Sequence, residues 1–367
     1  MANSALQTTY PYRPDYAIPP GETLRDTLEA VDMPQAELAR RTGLSVKHIN
    51  QIVQGAAPIT PDTALALERV TGVPAQLWAR LEATYQAREA RRRERMTLDP
   101  SLSWLDRLPI RDLVRRGYLP QTHDRIALLQ DVLTFFGIAN AGAWNEVWMA
   151  PGAAFRRSPA FSSDPYAVAC WLRIGEIEAS KIECQPFDRA RFVAALRRIR
   201  SLMGASPDAF EPELVGLCRQ SGVAVVFVAE IKGARTSGAA HWLSPTKALI
   251  QLSLRYRWAD HFWFTFFHEA GHLLLHGKRE AFLDDGRDDR DVRERQADTF
   301  AARTLIPIEH EPQLAHLTTL AAIRSFADSV GVPPGIVVGR LQREHVIPFN
   351  VGNHLRVQYQ LRDDVGR

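Results

Sequence analysis

A chain of 367 residues that is 46% hydrophobic and 24% charged is too long for one ordinary core and too apolar for disorder, so two or three folded modules are expected. Its longest apolar runs, Val223 to Val228 and Phe262 to Phe267, fall short of the ~20 residues that cross a bilayer, and its proline-rich start lacks the pattern of a secretory signal; a cytoplasmic location without a membrane partner is expected. A net charge of +3 is too small to argue for nucleic acid by itself, and Cys170, Cys184 and Cys218, odd in number and free of any CxxC pair, indicate neither a disulfide framework nor a thiolate metal site.

After an extension over residues 1–20, residues 21–95 carry five closely punctuated helical patterns. Gly43, Gly55 and Gly72 stand where left-handed C-caps are wanted, Ser45 and Thr60 offer N-cap oxygens, and Pro61 suits a first helical position. QAELARRTG followed by SVKHINQIVQG reads as two short helices around a glycine-containing turn, the arrangement that sets a second helix in the major groove. Ser45, Lys47, His48 and Gln51 lie near the start and outer face of that helix, with Ile49, Ile52 and Val53 on its buried side. Gln35 and Ser45 also sit near helix starts, where backbone amides attract a phosphate, and Arg40 and Arg41 add local positive charge. These residues are the candidate contacts to a double-stranded DNA operator; the alternative is a protein-interaction module whose polar face meets only water. REARRRER reads as an exposed helical face with internal ion pairs.

Residues 96–205 look mostly helical and form a connector domain whose Trp144, Trp148, Phe135, Phe136 and Trp171 are read as core. In residues 206–310 the texture turns to α+β: GVAVVFV and ALIQLSL are strand-like, and DHFWFTFFHEAGHLLLHG suits a buried helix ended by Gly277. DDGRDDRDVRER is a solvated loop, after which RERQADTFAARTLIP resumes helical spacing. Two helical patterns in residues 311–367 make a tail packed on this domain. The fold class expected is multidomain, mainly α with one α+β domain.

HEAGH sets His268 and His272 four residues apart, about 6 Å along a helix axis on one face, so both imidazoles can reach one cation. Glu269, beside the first histidine, can take a proton from water at the open coordination position, which is a metallopeptidase arrangement with Zn2+ as cofactor. Zinc needs a third protein ligand. Glu294 in ERQAD is read as that ligand and Asp298, four residues on, as the acceptor for the far ring nitrogen of His268. His276 continues the stripe but lies about 12 Å along the axis from His268, too far to share one ion with both others, and is read as a helix-end residue. The expected chemistry is amide hydrolysis, zinc lowering the pKa of its water toward ~7, Glu269 taking the proton and the metal polarising the carbonyl. Tyr256, Arg255 and His241 are candidates for the oxyanion partner, with none assigned. The alternative for the constellation is an ion-paired helix packing.

IPPGETLRDTLEAVDMPQAELARRTGLSVKHINQIVQGAAPITPDTALALERVTGVPAQLW closely resembles the HigA-type branch of XRE-family antitoxin repressors, with a five-helix lambda-repressor-like domain. SGAAHWLSPTKALIQLSLRYRWADHFWFTFFHEAGHLLLHG with ERQADTFAARTLIP resembles the ImmA/IrrE metallopeptidases. The second resemblance implies a gluzincin-like fold with zinc on His268, His272 and Glu294, Glu269 as base, and a protein substrate such as an XRE-type repressor or antitoxin. The fusion resembles regulators of bacterial and phage origin, implying stress, toxin-antitoxin or phage-linked control, a toxin as a further partner, and a homodimer reading two half-sites. A second reading is an antitoxin-like repressor whose metal domain senses or binds without turnover; Glu269, dispensable for metal binding alone, favours turnover.

Overall fold

The computed structural model describes residues 18–148, 163–253, 255–277, 282–284 and 292–359. Most of the amino-terminal extension and residues 285–291 of the expected solvated loop lie outside the described residues. Two compact units are present, Met1–Pro100 and Ser101–Arg367.

The amino-terminal unit contains the five expected helices: α1 (Pro20–Ala30), α2 (Gln35–Thr42), α3 (Val46–Val53), α4 (Pro61–Thr71) and α5 (Ala75–Leu98). Their ends follow the local chemistry read from the chain. The Ser45 hydroxyl oxygen accepts from the His48 backbone amide at 3.1 Å and Thr60 does the same for Thr63, while α2 and α4 stop at Gly43 and Gly72, both left-handed at φ 75°. Leu24, Leu38, Ile49, Ile52, Leu67 and Trp78 close a core in which Ile49 and Ile52 bury one face of α3, while Lys47 and Asn50 stand exposed.

In the second unit the helices α6 (Ile110–Arg115), α7 (Arg125–Phe136), α8 (Ala141–Trp148), α9 (Pro165–Ser180), α10 (Arg189–Arg200) and α11 (Pro207–Gln220) precede a sheet. Then come β1 (Val223–Phe227), β2 (Gly238–Ser244), β3 (Lys247–Leu252), α12 (Ala259–Leu275), β4 (Phe282–Asp284), α13 (Val292–Leu305), α14 (Glu311–Leu314), α15 (Leu320–Val330) and α16 (Pro334–Arg343). The strand order is β1-β3-β2-β4, with β1 parallel to β3 and the other pairings antiparallel. Because side chains alternate across a strand, Ala240 and Ile250 face α12 and share a core with Trp263, Phe266 and Phe267. On the opposite face Gln251 donates to the Trp171 carbonyl of α9 at 2.7 Å. The sheet is thus sandwiched between α9 and α12.

This two-unit division is coarser than the five segments read from the sequence. One hydrophobic core runs from Phe192 on α10 to Tyr359 in the tail, so α10, residues 206–310 and the tail share an interior, and residues 101–367 form one compact unit. The Arg200 guanidinium of α10 reinforces this by donating to the carbonyls of Thr304, Leu305 and Val330, which satisfies backbone oxygens at the ends of α13 and α15. The aromatic residues assigned to the core (Trp144, Trp148, Phe135, Phe136, Trp171) are buried. Cys170, Cys184 and Cys218 are free thiols, and Cys184 is only partly buried.

Five of these elements go beyond the sequence reading. β2 and β4 join the two expected strands, and α8, α11 and α14 join the expected helices, α11 carrying Pro212 inside it. The stretch Arg125–Trp148 is also apolar and long enough, by composition, to cross a bilayer, which the reading of shorter apolar runs passed over. The chain turns within it at the left-handed Gly137, so it forms α7 and α8, whose Leu129, Val132, Phe136 and Trp144 are buried.

The tail straps the start of α12. Arg356 meets Asp260 through two hydrogen bonds, at 2.8 and 3.1 Å, and lies over the Trp258 ring at 4.6 Å. The Ala259 amide donates to the Val357 carbonyl, and the Trp263 indole N–H donates to the Tyr359 hydroxyl.

Candidate metal centre

Helix α12 is apolar nearly all round, so the polar residues in its middle are carried into the interior with it. His268, Glu269 and His272 are 2%, 0% and 1% exposed, a burial that polar groups tolerate only with partners in place. For the two histidines those partners come from α13. Gly271 faces that helix: a Cβ there would meet the Phe300 ring at 3.1 Å and the Ala297 Cα at 3.3 Å. The small residues Gly271 and Ala297 therefore let the two helices approach closely, which brings Glu294, in the first turn of α13, against the histidines.

The Nε2 atoms of His268 and His272 lie 2.9 Å apart. Glu294 Oε2 is 3.2 Å from the first and Oε1 3.4 Å from the second. One ligand atom from each residue thus falls within 4.8 Å of the other two. On its far side, His268 donates from Nδ1–H to Asp298 Oδ1 at 2.9 Å, which fixes the tautomer and turns the Nε2 lone pair toward the cluster. Asp298 also accepts from Arg343 of α16.

The electrostatics suit a cation. Burial works against ionisation of Glu294, but hydrogen bonds to His268 and His272 outweigh it and hold the carboxyl down to about 2. Asp298 is lowered as well, the His268 hydrogen bond and the Arg343 charge overcoming its burial. Burial lowers the pKa of His272, which favours the neutral, ligating imidazole. Two imidazole nitrogens and one carboxylate, converging from rigid helices, are the donor set that zinc takes when a fourth position stays open for reaction, so the residues present fit this ion.

Glu269 lies next to the ligand pair, between α12 and β2. A Cβ at Gly238 of β2 would stand 2.6 Å from Glu269 Oε1, so the strand passes the carboxylate at backbone distance. Nothing in the sequence reading singled out Gly238 or Gly271; the signal available was the run of small residues in SGAA and the glycine inside HEAGH. Replacing Gly271 by leucine is expected to wedge α12 from α13, costing about 1–3 kcal/mol by overpacking and lowering bound zinc below one per chain, as metal analysis and denaturant titration would register.

The remaining predicted residues fall elsewhere. His276 is the C-cap of α12 in extended conformation, so the helix stops at Leu275 rather than at Gly277, and its ring N–H donates to the Arg293 carbonyl at 3.2 Å. His241 sits on the sheet face that meets α9, 3.5 Å from Glu176, away from the face that carries the histidine pair. Arg255 is 3.7 Å from Glu230, and Tyr256 packs on His261. In the amino-terminal unit Lys47 and Ser45 are exposed, while Gln35, His48 and Gln51 are half-buried. Gln35 accepts from the Asn50 side chain at 3.4 Å. Asn50, one turn from Lys47 and exposed, was missed although it shares the helical period of Lys47 and Gln51.

Residues 24–78 match the helix-turn-helix family model, and residues 226–342 match the peptidase-family model described as the IrrE N-terminal-like domain. Virulence-associated protein I of Dichelobacter nodosus is 39% identical over 75 residues, 20% of this chain and 69% of that protein. Among solved structures, the Pseudomonas aeruginosa antitoxin HigA with higBA promoter is 37% identical, covering 20% of this chain and 83% of that one with a TM-score of 0.20. An addiction module antidote protein of a HigA family from Coxiella burnetii is 29% identical, covering 23% and 92% with a TM-score of 0.22.

Proposed function

Because this chain belongs to the helix-turn-helix family through its amino-terminal unit and its residues 226–342 match the IrrE N-terminal-like peptidase model, we propose that it is a DNA-binding regulator that cleaves a protein target at a zinc centre. The observation that carries this reading is the meeting of His268, His272 and Glu294 with a buried Glu269 alongside.

Zinc, when bound by those three side chains, supplies the Lewis acidity that polarises a scissile carbonyl and acidifies water. Glu269 takes the proton from the attacking water and returns it to the leaving amine. Asp298 keeps His268 in its ligating tautomer. The proposed substrate is an XRE-type repressor or antitoxin, cut in cis or in trans, with a toxin as a further partner of the same regulatory system. Full-length protein is expected to hold one zinc per chain, and Glu294→Ala to weaken its retention by more than the ~10–100-fold that loss of an outer partner costs. A Glu294→Ala chain that keeps its zinc would remove this assignment.

For the amino-terminal unit, the outer side of α3 offers exposed Lys47 and half-buried His48 and Gln51 to a DNA operator, with Ser45 at its N-cap and Gln35 at the start of α2 beside it. A homodimer would place two such helices on two half-sites. The double change Lys47→Ala, Gln51→Ala removes one cation and one amide from that face, and each good base contact is worth ~1–3 kcal/mol. Binding to DNA selected by the wild-type protein is expected to drop at least ~10-fold by fluorescence anisotropy, with the salt slope shallower by about one. Unchanged affinity with the fold intact would place the DNA contacts elsewhere.

A further inference from the structure

Asp298 is held from two sides. Its Oδ1 accepts from His268 Nδ1 at 2.9 Å and its Oδ2 from Arg343 Nη2 at 2.7 Å. Arg343 is the last residue of α16, one position past the stretch matched by the peptidase-family model. Its guanidinium carbon lies 4.4 Å from the centre of the Phe264 ring, and Phe264 is one turn before His268 on α12. Phe264, Arg343, Asp298 and His268 thus form a closed circuit through three helices, α12, α16 and α13.

A carboxylate bound through one oxygen can still rotate about its terminal torsion, whereas one bound through both oxygens to partners on different helices cannot. With Arg343 in place, Oδ1 stays in line with the imidazole N–H, and the ring presents Nε2 at a fixed angle to the ligand cluster. We propose that Arg343 is a positioning residue for the metal centre, acting through Asp298 on His268. This rests on the zinc assignment above. Arg343 is 54% exposed at its side chain, so the residue that completes the support of a buried ligand stands at the protein surface.

The test is the rate at which zinc passes from loaded, full-length protein to a chromogenic chelator in excess. Arg343→Ala is expected to release zinc ~10-fold faster, the lower end of what outer-partner losses produce, and Arg343→Lys, which restores the charge without the planar fork, to fall between it and wild type. In an Asp298→Ala background, already fast, Arg343→Ala is expected to add nothing, because the arm through which it acts is gone. The same increment on both backgrounds would mean a general loosening of the fold and would overturn the proposal, as would a release rate equal to wild type. Melting of the metal-free proteins separates misfolding from misplacement, and Arg343→Lys serves if the alanine variant fails to fold. A wild-type chain that takes up no zinc would instead strike the underlying assignment, and this proposal with it.

Discussion

Glu269→Gln is expected to slow peptide-bond cleavage by orders of magnitude while leaving one zinc per chain. The substitution preserves shape inside a fully buried site and removes only the basicity of the side chain. General-base catalysis contributes ~10²–10⁴-fold, so turnover of a cleavable repressor or antitoxin should fall by that factor. Incubation with candidate protein targets, followed by gel or mass analysis, gives the comparison. Cleavage by the glutamine variant at the wild-type rate would exclude Glu269 as base. Indistinguishable, uncleaved targets with both proteins would favour a metal domain that senses or binds without turnover.

The second large effect is on stability and lies at the start of the same helix. Asp260→Ala is expected to destabilise the carboxy-terminal unit by about 3–5 kcal/mol, because it leaves a buried guanidinium without its counter-charge. Asp260 and Arg356 have side chains only 8% and 9% exposed, and their two-pronged contact joins the tail to the first turn of α12. Truncating both partners tests the cause: replacing a buried pair by apolar groups is often near neutral, so Asp260→Ala with Arg356→Met should recover much of the loss. Tryptophan fluorescence during urea unfolding reports on this unit, since of the eight tryptophans only Trp78 belongs to the other. An unchanged midpoint for the single variant would mean that the pair contributes nothing to the unit.

How much of this was legible in the sequence depends on whether a feature is local. The five amino-terminal helices were readable because their stops are made by adjacent residues, Ser45 and Thr60 capping forward and Gly43 and Gly72 turning the chain. HEAGH stood out because metal chemistry dictates both residue type and spacing, and Glu294, sought as a third ligand, does lie against the histidine pair. β2 was not, since GAAHWLS has little of the β-branched character that marks a strand and owes its conformation to pairing on both edges. α11 was hidden by Pro212, which reads as a break but sits inside the helix. The side of the sheet that His241 occupies follows from strand register, which no local pattern gives. Arg343 meets Asp298 across 45 residues of chain, a juxtaposition that only the packing of α16 creates.

The three carbonyl oxygens gathered by Arg200 bear on how the protein can be dissected. A clone begun at residue 206, where strand-like texture first shows, would discard the donor that closes two helices downstream, along with Phe192, Leu196 and Ile199 from the shared interior. The carboxy-terminal unit is therefore not a portable cassette of about a hundred residues; whoever wishes to express it alone should keep everything from Ser101 onward.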